Sequence, residues 1–286
     1  MSDVERSSTV AETPLVSVIM ATHLGDSLPL LEQAVRSIQA QTYDHFEFLI
    51  VLDGPVERET QVFLDRLALH NERVQVLRLE ENEGPASARN HGIERAVGDY
   101  IAILDADDIA LPERLAKQLA FLRENGADVV GSFYYLIDAK GEVVGERQLP
   151  TTAEGIRSSY CWFNPIANST VFARAAVLKE DGYPPHRFAE DYELWIRLAR
   201  RGRRLLNQSE YLVQFRNDDR FVARRIGWRF FQREVRCKMH AIPLYPFYLA
   251  PLTVTVIVVS SMPRLLPPTV FRWLYRIRGS LRLRRG

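Results

Sequence analysis

Four times within the first 105 residues, a short apolar run rich in β-branched side chains gives way to a polar or acidic residue and then to helical spacing. Residues 15–20 (LVSVIM) read as a buried strand. Leu28, Leu31, Val35 and Ile38 then recur at helical spacing, so residues 28–40 read as an amphipathic helix. A second buried strand at 46–52 (FEFLIVL) closes at Asp53 and Gly54, and a helical stretch follows over 57–70. Val74–Leu79 alternates like a strand, and Gly84-Pro85 opens a helix, since proline's fixed φ suits a first helical position. Residues 99–104 (DYIAIL) form the next strand, and Pro112 to Arg123 the next helix, with Leu115, Leu119 and Leu122 on one face.

That rhythm implies a Rossmann-like, mostly parallel sheet with helices on both faces. Ligands of such sheets bind outside the carboxyl ends of the strands. Chain order alone puts Thr22 and His23 there after the first strand, Asp53 after the second, and Asp105 and Asp107 after the fourth. The second half is less regular. Residues 128–136 and 142–148 pair as strands across a turn at 138–141, residues 170–173 form another strand, and Ala189 to Arg201 a helix ended by Gly202. A last strand at 211–216 leads into a basic helix over 222–240.

At 286 residues the chain can hold one large α/β domain and a modest appendage. With 47% hydrophobic and 26% charged residues, it is no disordered protein. The two cysteines, Cys161 and Cys237, stand in no metal-ligand spacing, which fits a reducing compartment and argues against a disulfide framework or a zinc site. Residues 1–13 are polar, carry both charge signs and lack an apolar core, so they read as a loose tail rather than a signal peptide. The net charge of +1 hides a division: from residue 217 onward stand 14 Lys/Arg and 3 Asp/Glu, against 23 and 33 before it. Regions of opposite charge have different partners, unless the basic stretch is simply a solvated face.

Asp105-Ala106-Asp107-Asp108 directly follows a buried strand. Side chains two apart in extended chain point the same way, so Asp105 and Asp107 can face one site with Asp108 turned aside. A divalent cation relieves the repulsion between such carboxylates, and Mg²⁺ or Mn²⁺ takes oxygen ligands and often shares its shell with substrate phosphates. Asp-x-Asp also occurs by chance, and Asp108 could cap the helix that begins near Pro112. Position at the carboxyl edge of a parallel sheet favours the site.

At this point the segments resemble a known family, the inverting family 2 glycosyltransferases of GT-A fold. VSVIMATH is similar to that family's first strand and turn, and LIVLDGP to the segment whose Asp contacts the nucleobase. NEGPASARNHGI resembles the helix beside the nucleotide, and ILDADDIALPERL the metal-binding Asp-x-Asp with its trailing Leu-Pro-x-Arg-Leu. NSTVFARAAVL and EDYELWIRLARRG resemble the acceptor-side strand and the helix carrying the catalytic base. The match runs from about residue 14 to 216 with six segments in the family's order. It implies that Asp53 contacts the nucleotide base and Asp105 the ribose or the metal. It makes Asp107 the principal metal ligand and Asp191 the general base, and puts Arg89 and Asn90 near the nucleotide. The departures are Leu52-Asp53 for a pair of acids, Asn168 for a frequent His, and His23-Leu24 for a common Tyr-Asn.

The implied reaction is an inverting transfer of a sugar from a nucleotide diphosphate sugar, UDP-linked by the family's commonest usage, to an acceptor hydroxyl. The acceptor would be a saccharide or a lipid-linked one, in polysaccharide or glycolipid synthesis. Asp191 stands at a helix start beside Glu190, whose like charge would raise its pKa; alternatively both acids merely favour the positive helix N-terminus. A cation at Asp107 would stabilise the departing diphosphate, with charge added by Arg89 or by Arg216, unless Arg216 is only a surface strand-end residue. Two alternatives stay open: a sugar transferase acting on a polyprenyl phosphate, whose anionic acceptor needs less of a base, and a catalytically silent nucleotide-sugar-binding protein.

These features divide the chain into a tail (1–13), a catalytic domain (14–220, with a nucleotide half 14–125 and an acceptor half 126–220) and an extension (221–286). Residues 241–263 carry no charge, but Pro243, Pro246, Pro251 and Pro263 interrupt them and leave 252–262 as the longest proline-free piece. Eleven helical residues rise only ~16 Å, too short for a hydrocarbon core ~30 Å thick. An interfacial or re-entrant element fits better, and the seven arginines of 264–286 would be drawn to anionic lipid. The expectation is a cytoplasmic protein held peripherally on the inner face of the cell membrane; the alternative packs this segment on the catalytic domain or a second subunit. No groove-reading motif supports a nucleic-acid partner.

Overall fold

The computed structural model describes residues 13–185, 188–217, 226–267 and Val270. All but the last residue of the expected tail, and the arginine-rich 271–286, lie outside the described residues. Strands β1 (Val16–Thr22), β2 (Phe46–Leu52), β3 (Val74–Arg78) and β4 (Tyr100–Ile103) alternate with helices α1 (Leu28–Gln39), α2 (Arg58–His70) and α3 (Pro85–Arg95). The short β5 (Ile109–Ala110) and helix α4 (Arg114–Glu124) follow. Then come β6 (Val129–Ile137), β7 (Val143–Arg147), α5 (Ala153–Ser159), β8 (Phe172–Arg174), α6 (Ala175–Asp181), α7 (Glu190–Arg200) and β9 (Leu205–Arg216).

All nine strands join one sheet in the order β3-β2-β1-β4-β8-β6-β9-β5, with β7 paired to β6. The expected parallel character holds for β3, β2, β1 and β4. Beyond β4 the sheet is mixed: β8 runs antiparallel to both β4 and β6, while β9 runs parallel to β6. The parallel register aligns Val16 with both Phe46 and Tyr100, and Thr22 with Leu52. Three carboxyl ends therefore finish at one edge, which brings Thr22, Asp53 and Asp105 together.

Alternation of side chains divides the core into two layers. Val16, Val18 and Met20 of β1 face Leu31, Val35 and Ile38 of α1, Leu64 of α2 and Leu115, Leu119 and Leu122 of α4. On the other face, Ile19, Ile101 and Ile103 meet Ile93 of α3, Leu178 of α6 and Leu194, Trp195 and Leu198 of α7. Helix α3 lies close to the sheet because Gly92 has no side chain: a Cβ there would stand 2.6 Å from Ile19 Cγ2.

The extension comprises α8 (Trp228–Met239), two single turns at Ile242–Leu244 and Phe247–Leu249, α9 (Ala250–Ser261) and a final turn at Met262–Leu265. Phe247–Leu265 is a continuous helical stretch of 19 residues, longer than the proline-free piece predicts. Pro251 and Pro263 sit in the first turns of the segments they open, where no intrahelical N–H is required. By length and composition alone the stretch is long and apolar enough to cross a membrane, whereas the eleven proline-free residues predict too short a helix. Cys237, Ala241 and Leu244 join the core layer of α7, so the extension is docked on α7.

Candidate active site

At the carboxyl edge of β1, the Thr22 hydroxyl donates to Asp26 Oδ2 at 3.0 Å, and the His23 N–H donates to the same oxygen at 2.9 Å. Thr22 thereby shapes its own turn and presents Asp26 to the cleft. Asp53, at the end of β2, is buried and accepts the backbone N–H of Glu83 (2.7 Å) and of Gly84 (3.1 Å). Its carboxylate satisfies the entry to α3, and so ties the turn after β2 to the helix carrying Arg89 and Asn90.

The three acids after β4 have three different environments. Asp105 Oδ1 accepts from Arg89 Nη2 at 2.9 Å and from Asn168 Nδ2 at 3.1 Å. Burial alone would raise its pKa, but Arg89, Ser169 and Asn168 more than offset this and hold it below the usual carboxylate range. Asp107 is exposed to solvent at the mouth of the cleft. Although the residue as a whole is open to solvent, the protein crowded around its carboxyl takes water from that group, and this, then repulsion from Asp105 and Asp26, pushes the carboxyl up to about 6. Asp108 is buried beneath the loop, and its Oδ1 accepts the Arg216 N–H at 2.7 Å. Burial and its two acidic neighbours raise its pKa well above the ordinary value. Asp108 does not cap α4, whose N-cap is Glu113.

Arg89 links the two halves of the cleft. Its guanidinium, nearly enclosed, donates through Nη2 to Asp105 and through Nη1 to Glu190 Oε1, each at 2.9 Å, and lies 5.4 Å from the Tyr183 ring centre. Burial opposes its charge, yet Asp105, Tyr183 and Glu190 raise its pKa above that of free arginine. The Tyr183 hydroxyl donates to Asn168 Oδ1 at 2.7 Å, which closes a ring of Arg89, Asp105, Asn168 and Tyr183. Asn90 stands one residue away, but its amide exchanges two bonds with the Tyr183 backbone, at 2.7 and 2.9 Å. It positions the Tyr183 segment rather than reaching into the cleft.

Asp191 lies in the first turn of α7, and its Oδ2 accepts from Asn164 Nδ2 at 2.8 Å. Glu190, the residue before it, is paired with Arg89 Nη1 at 2.9 Å. The N-cap of α7, Ala189, has φ 50°, a left-handed conformation that costs an L-residue about 1–2 kcal/mol. Nearby backbone strain of this kind is a frequent property of working sites.

Arg216 is not a surface strand-end residue. It is buried, with Nε on the Asp107 carbonyl (2.9 Å), Nη1 on the Asp138 carbonyl (2.7 Å) and Nη2 on Gln33 (3.1 Å). Its charge lowers the Asp107 pKa somewhat, but its donors hold the acidic loop in place. Arg114 does the same from beneath: fully buried, it donates to the carbonyls of Ile103 and Val171, and burial pushes its pKa down to about 9.

Among the described residues no group of three or more His, Cys, Asp or Glu is arranged to hold a metal ion. The donor set nevertheless fits a hard cation that keeps phosphate and water oxygens in its shell. Asp107 offers a carboxylate whose proton affinity is raised by the protein crowded around it and then by like charge from Asp105 and Asp26, a repulsion that a cation would relieve. Asp105, neutralised by Arg89, stands behind it. Asn164, Arg114 and Asp26 are partners that sequence reasoning missed. Of these only Arg114 carried a signal, a charged residue on the apolar side of α4 within Leu-Pro-x-Arg-Leu.

Comparisons with known proteins identify the family and the fold. The family model for glycosyl transferase family 2 matches residues 17–178. The chain is 30% identical over 263 residues to the amylovoran biosynthesis glycosyltransferase AmsE of Erwinia amylovora, covering 91% of this chain and 98% of that one. Among solved structures, S. aureus TarS 1–349 in complex with UDP-GlcNAc is 20% identical with a TM-score of 0.64, covering 86% of this chain and 72% of that one. The mannosyltransferase PcManGT of Pyrobaculum calidifontis, in complex with GDP-Man and Mn²⁺, is 18% identical with a TM-score of 0.64, covering 96% and 82%. These two show the GT-A fold; the family model and AmsE show the family. The chain belongs to glycosyltransferase family 2.

Proposed function

We propose that the protein is an inverting, metal-assisted glycosyltransferase that moves a sugar from a nucleotide diphosphate sugar, UDP-linked, to the hydroxyl of a saccharide or lipid-linked acceptor in polysaccharide or glycolipid synthesis. The observation that carries this reading is the bridge made by Arg89. One buried guanidinium holds Asp105, at the edge expected to receive the donor, and Glu190, next to the candidate base, at 2.9 Å each. Donor and acceptor machinery therefore share one cleft and one fixed spacing.

Asp191, oriented by Asn164, takes the proton of the acceptor hydroxyl as that oxygen bonds to the anomeric carbon. The bond from that carbon to the diphosphate breaks on the opposite side, and the nucleoside diphosphate leaves with its electron pair. Asp107, with Asp105 behind it, would hold a divalent cation, which would supply positive charge for that leaving group. Asp53 lines the nucleotide-base side through the turn it shares with Glu83 and Gly84. Attachment to the inner face of the cell membrane belongs to the same reading and is supported by the apolar extension.

The test is the anomeric configuration of the product together with Asp191→Asn. Inversion, with turnover reduced by about 10²–10⁴-fold and donor affinity kept, is expected of a general base. Retention of configuration contradicts the reading. Unchanged turnover in Asp191→Asn points instead to a polyprenyl phosphate, whose anionic oxygen needs no base. Donor binding without turnover on any acceptor is the outcome of a silent binding protein.

A further inference from the structure

Residues 160–164 follow α5 without regular structure and end on Asn164, whose side-chain amide is held at both of its polar atoms. Its Oδ1 accepts the Ile166 N–H at 3.3 Å, which turns Nδ2 toward Asp191 Oδ2 at 2.8 Å. One side of the segment is tied to α7. The Tyr192 hydroxyl, next in sequence to Asp191, donates to the Tyr160 carbonyl at 2.5 Å. In return the Tyr160 hydroxyl donates to the Trp195 carbonyl at 3.1 Å.

The other side of the segment is tied to the C-terminal extension. Of the four backbone polar groups of Cys161 and Trp162, the Trp162 N–H turns back to the Ser159 carbonyl at 2.8 Å. The remaining three meet residues of the extension. The Cys161 N–H donates to Tyr245 Oη at 3.2 Å, and the Cys161 carbonyl accepts from Ser260 Oγ at 2.8 Å. The Trp162 carbonyl accepts from Lys238 Nζ at 3.1 Å. Backbone groups removed from water require partners, and here the extension supplies them.

These three side chains also act on one another and on the base of the segment. Lys238 of α8 is fully buried, and its Nζ donates to Ser260 Oγ of α9 at 2.9 Å while pairing with Glu234 Oε1 at 2.8 Å. One ammonium therefore joins α8, α9 and the segment. The Tyr245 hydroxyl passes its own hydrogen to the Arg157 carbonyl at 2.9 Å, and Arg157 Nε donates to the Leu244 carbonyl at 2.8 Å.

We infer that the extension is a working part of the acceptor side: Lys238, Tyr245 and Ser260 clamp residues 160–162 and, through Asn164, are positioning residues for the Asp191 carboxylate. The inference rests on the reading of Asp191 as the base. It goes beyond the orienting role of Asn164, because it places the support of that residue in α8 and α9. A base must meet the acceptor oxygen within hydrogen-bond reach, so a segment free to shift by even ~1 Å forfeits turnover while leaving the donor side of the cleft intact.

The test uses the full chain, with release of nucleoside diphosphate from UDP-linked sugars, water serving as acceptor, and donor affinity read by calorimetry. Asn164→Ala should lower turnover by roughly 10²-fold with donor affinity kept. The double variant Tyr245→Phe/Ser260→Ala removes two hydroxyls from the clamp and spares the Lys238–Glu234 pair; it should lower turnover by roughly tenfold, again with donor affinity kept. Lys238→Met should follow the same pattern. Added to Asn164→Ala or to Asp191→Asn, the clamp changes should cost nothing further, because groups that act in series are not additive. An equal further loss in those backgrounds would show that the clamp acts elsewhere and overturn the inference. Undiminished turnover in the clamp variants would overturn it, and so would donor affinity falling in step with turnover, which assigns the clamp to folding alone. If Asp191→Asn keeps full turnover, the base reading fails and the inference with it; if Asp191→Asn is crippled and the clamp variants are not, the inference alone fails.

Discussion

Asp105 and Asp107 stand two residues apart and meet opposite electrostatic fates. Arg89 holds Asp105 ionised, whereas Asp107 is raised to about 6 by its surroundings and by two neighbouring acids. A raised carboxyl pKa means that ionising Asp107 opposes folding, so the metal-free protein loses stability as pH rises from the unfolded value of about 4 through 6. Asp107→Asn should therefore raise the melting temperature of the metal-free protein at pH 7.5 and abolish the further rise produced by Mn²⁺ with nucleotide. A proton and the cation compete for Asp107, so cation affinity should be flat above pH 7 and fall by about tenfold per unit below 6, as titration calorimetry would read. For Arg89, truncation leaves two acids uncompensated in a nearly closed space. Arg89→Ala should cost about 3–5 kcal/mol in urea unfolding. The acids at strand ends were legible from chain order alone. Their partners were not: Asn164 reaches Asp191 across 27 positions and Arg89 reaches Glu190 across 101, contacts that no local spacing reports.

At the scale of elements, α3 and α7 hold the site. Gly92 lets α3 approach β1 and β2, and this approach sets Arg89 at its distance from Asp105. Gly92→Ala should force Ile19 aside and destabilise the fold by about 1–3 kcal/mol, with a matching loss of turnover from misplaced Arg89. Ala189 at φ 50° offers the reverse: Ala189→Gly relieves the left-handed strain and should stabilise by about 0.5–1 kcal/mol in the same assay, less the entropy glycine brings to the unfolded chain. Regular elements of the first half were legible because each carries a clear period of two or 3.6. In the second half, β9 begins at Leu205, six residues before its expected start at 211. Its first part holds the buried Asn207 and Gln208, which break the apolar alternation; Asn207 Nδ2 is satisfied by the carbonyls of Pro150 and Pro165 instead. The register shifts between β6 and β9 at Ser132–Tyr134 have no signature in sequence. Helices α5 and α6, seven residues each, are too short to show a period.

Over the whole molecule, acidic catalytic and basic C-terminal regions are separated along the chain yet joined by one clamp. Lys238 ties α8 and α9 to the Trp162 carbonyl, so Lys238→Ala should loosen the extension and the Asn164–Asp191 contact together. The expected reading is earlier proteolysis after residue 226 with reduced turnover at unchanged donor affinity. The prolines of 241–263 misled the sequence reading of length because position within a helix, not their number, decides whether they break it. The central claim, however, concerns the cleft: the protein uses a nucleotide diphosphate sugar with a cation at Asp107. The most direct measurement is release of nucleoside diphosphate from a panel of nucleotide sugars, with Mn²⁺ or Mg²⁺, with chelator, and in Asp107→Ala. Release from one donor that requires the cation and disappears in Asp107→Ala is predicted. Release that persists in chelator and in the variant, or no binding of any donor with or without metal, would contradict the account.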